Sequence, residues 1–405
     1  MPLPHLQTVC VSLFVRAGSR HESLENNGVF HLLEHLLFRG TSAHPSTFAF
    51  NRALESLGGT LDGSTQVDLT RYDLEIPKEN AVAAIHLIAE MVQTPLLQGL
   101  EIERKIIREE ILEDLNDEGD DINPDNLIAK IDFGDHPLSL PIAGTLETID
   151  SLDAERVLSD FERAYNAKNL SLVIAGSFVD PAIEETVRQA FGSLKAGAAL
   201  LESTPVFPAN GRYLHVHDSA SQTEIRLSFR TGGRHDSTSL PLRLAERILD
   251  DGLSTRLYQA VCDQRGLAYD TYCGLDTYSD CGAFGFGAAV EHRNAAELVR
   301  TWLSVLDDLR TNPIGEDELK KAKRRIGWDA RSAIDSAIAM TDVFGASVLF
   351  DELTDMEHDL ALYDAVDAAI LQSTVQKFFQ PSIASLVTVG VLNDRAQNEI
   401  ENLLR

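Results

Sequence analysis

Between residues 29 and 38 the chain reads VFHLLEHLLF, seven large apolar residues interrupted by His31, Glu34 and His35. Apolar positions recur at both three- and four-residue spacings, which predicts a helix buried on most sides. Upstream, residues 8–16 (TVCVSLFVR) are β-branched and aromatic with partial alternation and read as a strand. Asn27 stands where it can cap the following helix. A second helix is expected over 47–57, stopped by Gly58 and Gly59. Residues 60–76 read as strand, with Tyr72, Leu74 and Ile76 alternating against Asp73 and Glu75. Helices follow over 80–92 and 100–117, the second giving way to an acidic loop at 116–125. The pattern then predicts a helix at 151–165, a strand at 169–176 and a helix at 181–191. The stretch 196–211, with Pro205 and Pro208, has no periodicity and is read as a linker.

The second half repeats the first. Residues 15–22 read VRAGSRHE and residues 229–236 read FRTGGRHD; Ser171-Leu172-Val173 with Gly176 matches Ser385-Leu386-Val387 with Gly390. Both matches share an offset of 214, which indicates a duplicated domain of about 200 residues. The expected architecture is α+β, with two tandem homologous domains at 1–200 and 201–405. Carried across that offset, His31, Glu34 and His35 become Ala245, Ile248 and Leu249, so the second copy has no polar echo of the first helix. His21 and His235 do repeat and are read as structural.

Composition narrows the function classes. A formal charge of −28 over 405 residues argues against nucleic acid or an anionic membrane as partner. No apolar run reaches the roughly 18 residues needed to span a bilayer. The first residues show no basic region or cleavage site, and the four cysteines form no C-x-x-C pair. A cytoplasmic location is the expectation.

Burying two imidazoles and a carboxylate in one apolar helix is costly without a shared partner. Positions i and i+4 stack on one face, so His31 and His35 point the same way with Glu34 beside them. Two nitrogen ligands and a neighbouring base are what a catalytic zinc requires, and the order H-x-x-E-H is the inverted zinc-peptidase motif. The zinc needs a third protein ligand. On the 100–117 helix, Ile102, Ile106, Ile107 and Ile111 form one apolar arc, and Glu103 and Glu110 project from its middle. One of these acids is expected as the ligand and the other as its support; periodicity does not rank them.

The combined motifs resemble the pitrilysin and mitochondrial processing peptidase family. They are HLLEH with FRGT (38–41), GGTLDGST (58–65), ERKIIREE (103–110), HPLSLPIAGT (136–145) and STRLYQAVCDQRGLAY (254–269). The resemblance covers nearly the whole chain. It implies tandem α+β halves, each a mixed, largely antiparallel sheet packed on one side by helices, and a zinc endopeptidase that encloses unfolded peptides in a chamber. It implies His31, His35 and Glu110 as zinc ligands, Glu34 as general base and Glu103 as the supporting acid. Asp62, where members carry Asn, and Tyr269 are implied as substrate contacts. Members also place an Arg seven residues before that tyrosine, where this chain has Cys262. Either Arg265 or Arg256 compensates, or a homologous partner in a heterodimer supplies the Arg–Tyr pair; the second is favoured. The competing expectation is a non-catalytic binding or assembly subunit.

Overall fold

The computed structural model describes residues 1–208, 210–350 and 355–405; Ala209, within the expected linker, lies outside them. The first sheet has the order β2-β3-β1-β4, with β1 (Thr8–Val15), β2 (Leu61–Thr65), β3 (Thr70–Pro77) and β4 (Leu170–Gly176). All its named strand pairs are antiparallel, and β2 is an edge strand. The single strand expected over 60–76 is therefore a hairpin, broken between Thr65 and Thr70. Helices of the first half are α1 (Val29–Leu37), α2 (Thr47–Ser56), α3 (Ala81–Gln93), α4 (Leu100–Glu113), α5 (Pro124–Phe133), α6 (Leu146–Ser151), α7 (Ala154–Ala164) and α8 (Asp180–Phe191).

The second sheet is mixed, in the order β5-β9-β6-β8-β7. Its strands are β5 (Tyr213–His217), β6 (Thr223–Gly232), β7 (Tyr272–Thr277), β8 (Cys281–Val290) and β9 (Ser385–Gly390), with β5 parallel to β9. Helices here are α9 (Ser239–Leu249), α10 (Arg256–Tyr258, continued by a π-turn), α11 (Ala295–Thr311), α12 (Glu316–Ser332), α13 (Ala337–Leu349), α14 (Met356–Ala365), α15 (Ala368–Phe378) and α16 (Asp394–Asn402). The offset of 214 runs through the whole fold: it carries α7 onto α15 and the first residue of α3 onto that of α11. Among the described residues no single helix is long and apolar enough to cross a bilayer.

The compact units are interleaved in sequence. One comprises Met1–Leu112, Leu140–Ser203 and Asp329–Thr354; the other comprises Glu113–Ser139, Thr204–Trp328 and Asp355–Arg405. Each half thus contributes one helix to the other half's sheet, and the two donated helices, α5 and α13, are themselves related by the 214 offset. In the first unit, α13 covers the face of β1 that carries Cys10, Ser12 and Phe14. There Ser12 Oγ lies 2.8 Å from Thr341 Oγ1 and 2.6 Å from Asp73 Oδ1. Gly345 permits this approach, since a Cβ there would fall 1.9 Å from the Phe14 ring. In the second unit, α5 sets Leu127 against Val387 and Val389, and Ser228 donates to its buried Asp132 at 2.5 Å. Burial of β1 and β9 on both faces explains why these two strands read as near-continuous apolar runs.

Candidate metal centre

All the groups that converge at the candidate site belong to the first unit. Helix α1 starts at Gly28, whose φ of +89° suits glycine, and a Cβ there would meet the Ala143 carbonyl at 2.6 Å. Asn27 does not cap the helix as expected; its side chain donates to Glu22 Oε2 and to the Pro141 carbonyl. The cap is Glu22, which accepts from the Gly28 and Phe30 N–H groups at 2.8 and 2.9 Å. A carboxylate suits the orphan donors of a helix N-terminus. Burial nevertheless pushes the Glu22 carboxyl up to about 7, against the lowering effect of its three donors and with a further push from Asp160.

From α1 the imidazoles of His31 and His35 project together, their ring centroids 4.6 Å apart. His31 Nε2 lies 3.0 Å from Glu110 Oε2, and His35 Nε2 lies 3.9 Å from Glu110 Oε1. One ligand atom from each of the three residues lies within 4.8 Å of the others. Glu103 stands behind His35, with Oε2 3.0 Å from Nδ1, while its Oε1 accepts from Arg39 Nε. Exposure separates the two acids that periodicity left equal. The Glu103 side chain is 7% exposed and turned to His35 and Arg39; that of Glu110 is 44% exposed and open to the space beside the imidazoles. The expected apolar arc of α4 holds only in part. Ile107 and Ile111 are buried, but Ile102 and Ile106 face solvent, because the helix turns its 103–107–111 line inward.

Charge around the site follows this geometry. Burial works against a charged His35, but Glu103, Glu34 and Glu110 outweigh it and raise its pKa. Burial likewise opposes ionisation of Glu103, yet His35 and Arg39 hold it below the usual carboxylate range. Glu110 is lowered mainly by its hydrogen bond to His31. Two imidazoles and one carboxylate are the donor set of a catalytic zinc site, and the carboxylate behind His35 is the usual orienting partner of a metal-binding histidine. The residues present therefore fit a zinc ion. Glu34 is buried next to this group and outside it, with Oε2 3.8 Å from His31 Nδ1.

Thr65, within the stretch read as strand, donates to Glu34 Oε2 at 3.2 Å. Asp62 is exposed, and alternation along β2 puts its side chain on the face opposite Gly63 and Thr65. Tyr269 belongs to the second unit and is almost fully exposed. Cys262 lies in the π-turn after α10, where burial, then Asp270 and Asp250, push its thiol up. Arg256 is held by Glu318 and Asp308, and Arg265 reaches the Ala260 carbonyl of the same turn. His21 is buried, with the Gly18 N–H donating to its Nδ1. Sequence reasoning passed over Glu22 and Arg39 and gave Thr65 no chemical role. For Glu22 a signal existed, since the repeated GSRHE and GGRHD segments both end in an acid.

Two related α+β units, of which the first carries a His–His–Glu cluster, make a duplicated α+β protein with a candidate metal site. The chain belongs to peptidase family M16. Residues 3–146 match the family model described as insulinase (peptidase family M16), and residues 151–326 match the peptidase M16 inactive domain. An uncharacterised zinc protease of Streptomyces coelicolor is 26% identical, the alignment spanning 99% of this chain and 88% of that protein. One from Mycobacterium leprae is 29% identical over 90% of this chain and 83% of its own. Among solved structures, a protease from Helicobacter pylori superposes with a TM-score of 0.87 at 20% identity, covering 96% of each chain. A peptidase M16 inactive domain from Pseudomonas fluorescens gives 0.88, also at 20% identity, over 97% of this chain and 95% of that one.

Proposed function

We propose that the chain is the metal-bearing subunit of a zinc endopeptidase that hydrolyses unfolded peptides or short polypeptides in an enclosed chamber. The observation that carries this reading is the convergence of His31, His35 and Glu110 with a buried carboxylate, Glu34, beside them and outside the ligand group. A zinc ion bound there would polarise the scissile carbonyl and bring the pKa of water from 15.7 towards about 7. Glu34 takes the proton of the attacking water and passes it to the amide nitrogen as the C–N bond breaks. Glu103 fixes the ring of His35 through Nδ1. The substrate main chain pairs along the free edge of β2, which accepts extended peptides irrespective of most side chains.

Arg256 is committed to Glu318 and Asp308 and so is a poor substitute for the arginine that Cys262 replaces. This favours a homologous partner subunit that supplies an Arg–Tyr pair. The same replacement is what favours the second reading, a non-catalytic assembly subunit. Zinc analysis and one substitution separate them. The purified protein is expected to hold about one zinc per chain. Glu34→Gln is expected to keep that zinc and lose turnover by about 10²- to 10⁴-fold. Zinc-free protein under non-chelating conditions favours the assembly subunit, and retained turnover in the variant removes Glu34 as base. The chain alone is expected to cleave peptides poorly until its co-purifying partner is added; full activity from a homodimer refutes the heterodimer.

A further inference from the structure

Strand β2 touches the carboxylate of Glu34 at two positions that share a face, 63 and 65. At Gly63 there is no side chain, and a Cβ placed there would lie 2.5 Å from Glu34 Oε1 and 2.9 Å from the Phe38 ring. At Thr65 a hydroxyl donates to Oε2 at 3.2 Å. Among the described residues no other side chain donates a hydrogen bond to Glu34. His31 Nδ1, at 3.8 Å, is beyond hydrogen-bond reach. One carboxylate oxygen is thus tethered, and the other faces a space kept open by a glycine.

We infer that Thr65 is a positioning residue, its hydroxyl holding the Glu34 carboxylate so that Oε1 stays free to receive a proton. The inference rests on the peptidase reading for the role of Glu34, but the tether itself does not. A glutamate has three rotatable side-chain bonds, and displacing a reacting group by about 1 Å costs on the order of 10²-fold in rate. Distances of this kind are often long without ligands and tighten in the working complex. The arrangement also links two events through one strand. β2 is the edge that a bound peptide would extend, and the face that steadies the base belongs to the same five residues.

The test compares zinc-loaded wild-type chain, with its partner where one co-purifies, against Thr65→Val and Thr65→Ser. Crystal structures report the place of the Glu34 carboxylate, and steady-state kinetics on an unstructured peptide report kcat and KM. In Thr65→Val the carboxylate is expected to leave its place or spread over several rotamers. Its kcat should fall by about 10- to 100-fold, with KM and zinc content unchanged. Thr65→Ser should restore both position and rate. Thr65→Ala replaces the valine variant should that one not fold. An undisplaced carboxylate, or an unchanged kcat, in the hydroxyl-free variant overturns the inference. A wild type that binds zinc and cleaves no peptide defeats the peptidase reading instead, while the crystal structures still decide whether Thr65 holds Glu34.

Discussion

Helices α1 and α9 occupy the same place in the two repeats and treat it in opposite ways. In α1, His31 and His35 face a space that a cation can enter, with Glu34 buried beside them. In α9 the matching residues, Ala245, Ile248 and Leu249, are sealed within the apolar core of the second unit. The same holds for the neighbouring helix. Glu103 and Glu110 on α4 correspond to Asp317 and Arg324 on α12, both exposed, and the arginine would repel a cation. The fold needs a helix at this place and does not need polar groups on it. The polar groups of the first copy are therefore not a demand of the fold, which supports the metal site proposed for them.

The largest effect expected from breaking this comparison is on stability. Ile248→Glu places a carboxylate at the position of Glu34 but without a threonine donor, an imidazole or an opening. Leaving such a charge buried and unpaired should destabilise the second unit by about 3–5 kcal/mol. Urea unfolding of the full chain checks this. A loss below about 1 kcal/mol would show that α9 keeps room for a polar group and that the two helices differ less than their burial suggests.

The acids ahead of the two helices sharpen the contrast. Glu22 and Asp236 stand at the same repeat position, yet burial lifts the first to about 7, while hydrogen bonds from Thr238 lower the partly exposed second. Folded Glu22 binds its proton more tightly than the unfolded chain does. Its contribution should therefore cost about 3 kcal/mol of stability as pH rises from roughly 4.5 to 7. Asp236 acts in the other direction, and what it contributes is lost only as pH falls through the carboxylate range. Denaturant midpoints of zinc-free protein across this window should fall less steeply in Glu22→Gln than in the wild type. Parallel curves would mean that the helix N–H groups keep Glu22 ionised throughout.

How far the sequence revealed this structure depended on whether a feature was local. The period of residues 29–38, the HLLEH spacing and the 214-residue repeat each report on neighbours along the chain, and α1, β1 and the duplicated order of elements follow from them. Helix α5 was hidden behind the acidic loop. Its buried face, Leu127, Asp132 and Phe133, is short and includes a carboxylate that makes sense only beside Ser228. No periodicity says that such a helix will cover the other half's sheet. The contact of Thr65 was hidden for the same reason, since its partner Glu34 is 31 positions away. The rank of Glu103 and Glu110 depended on which one Arg39 and His35 reach, again a fact of packing.

Glu103 offers the finest test, because it separates holding a metal from merely being acidic. Its carboxylate receives Arg39 on one oxygen and faces His35 Nδ1 with the other, so its work is to fix the tautomer and angle of that ring. Glu103→Gln preserves the shape and can still accept one hydrogen bond, but it removes the charge that makes the imidazole a better ligand. Loss of such a supporting group typically costs 10- to 100-fold in metal affinity, about 1.4–2.7 kcal/mol. Competition with a chromophoric chelator should show that loss for Glu103→Gln. Glu109→Gln, one residue before Glu110 on the same helix and without a partner at the imidazoles, should leave affinity unchanged. Equal losses in both variants would mean that the general negative charge of α4 draws the cation, and that His35 is aligned by α1 alone.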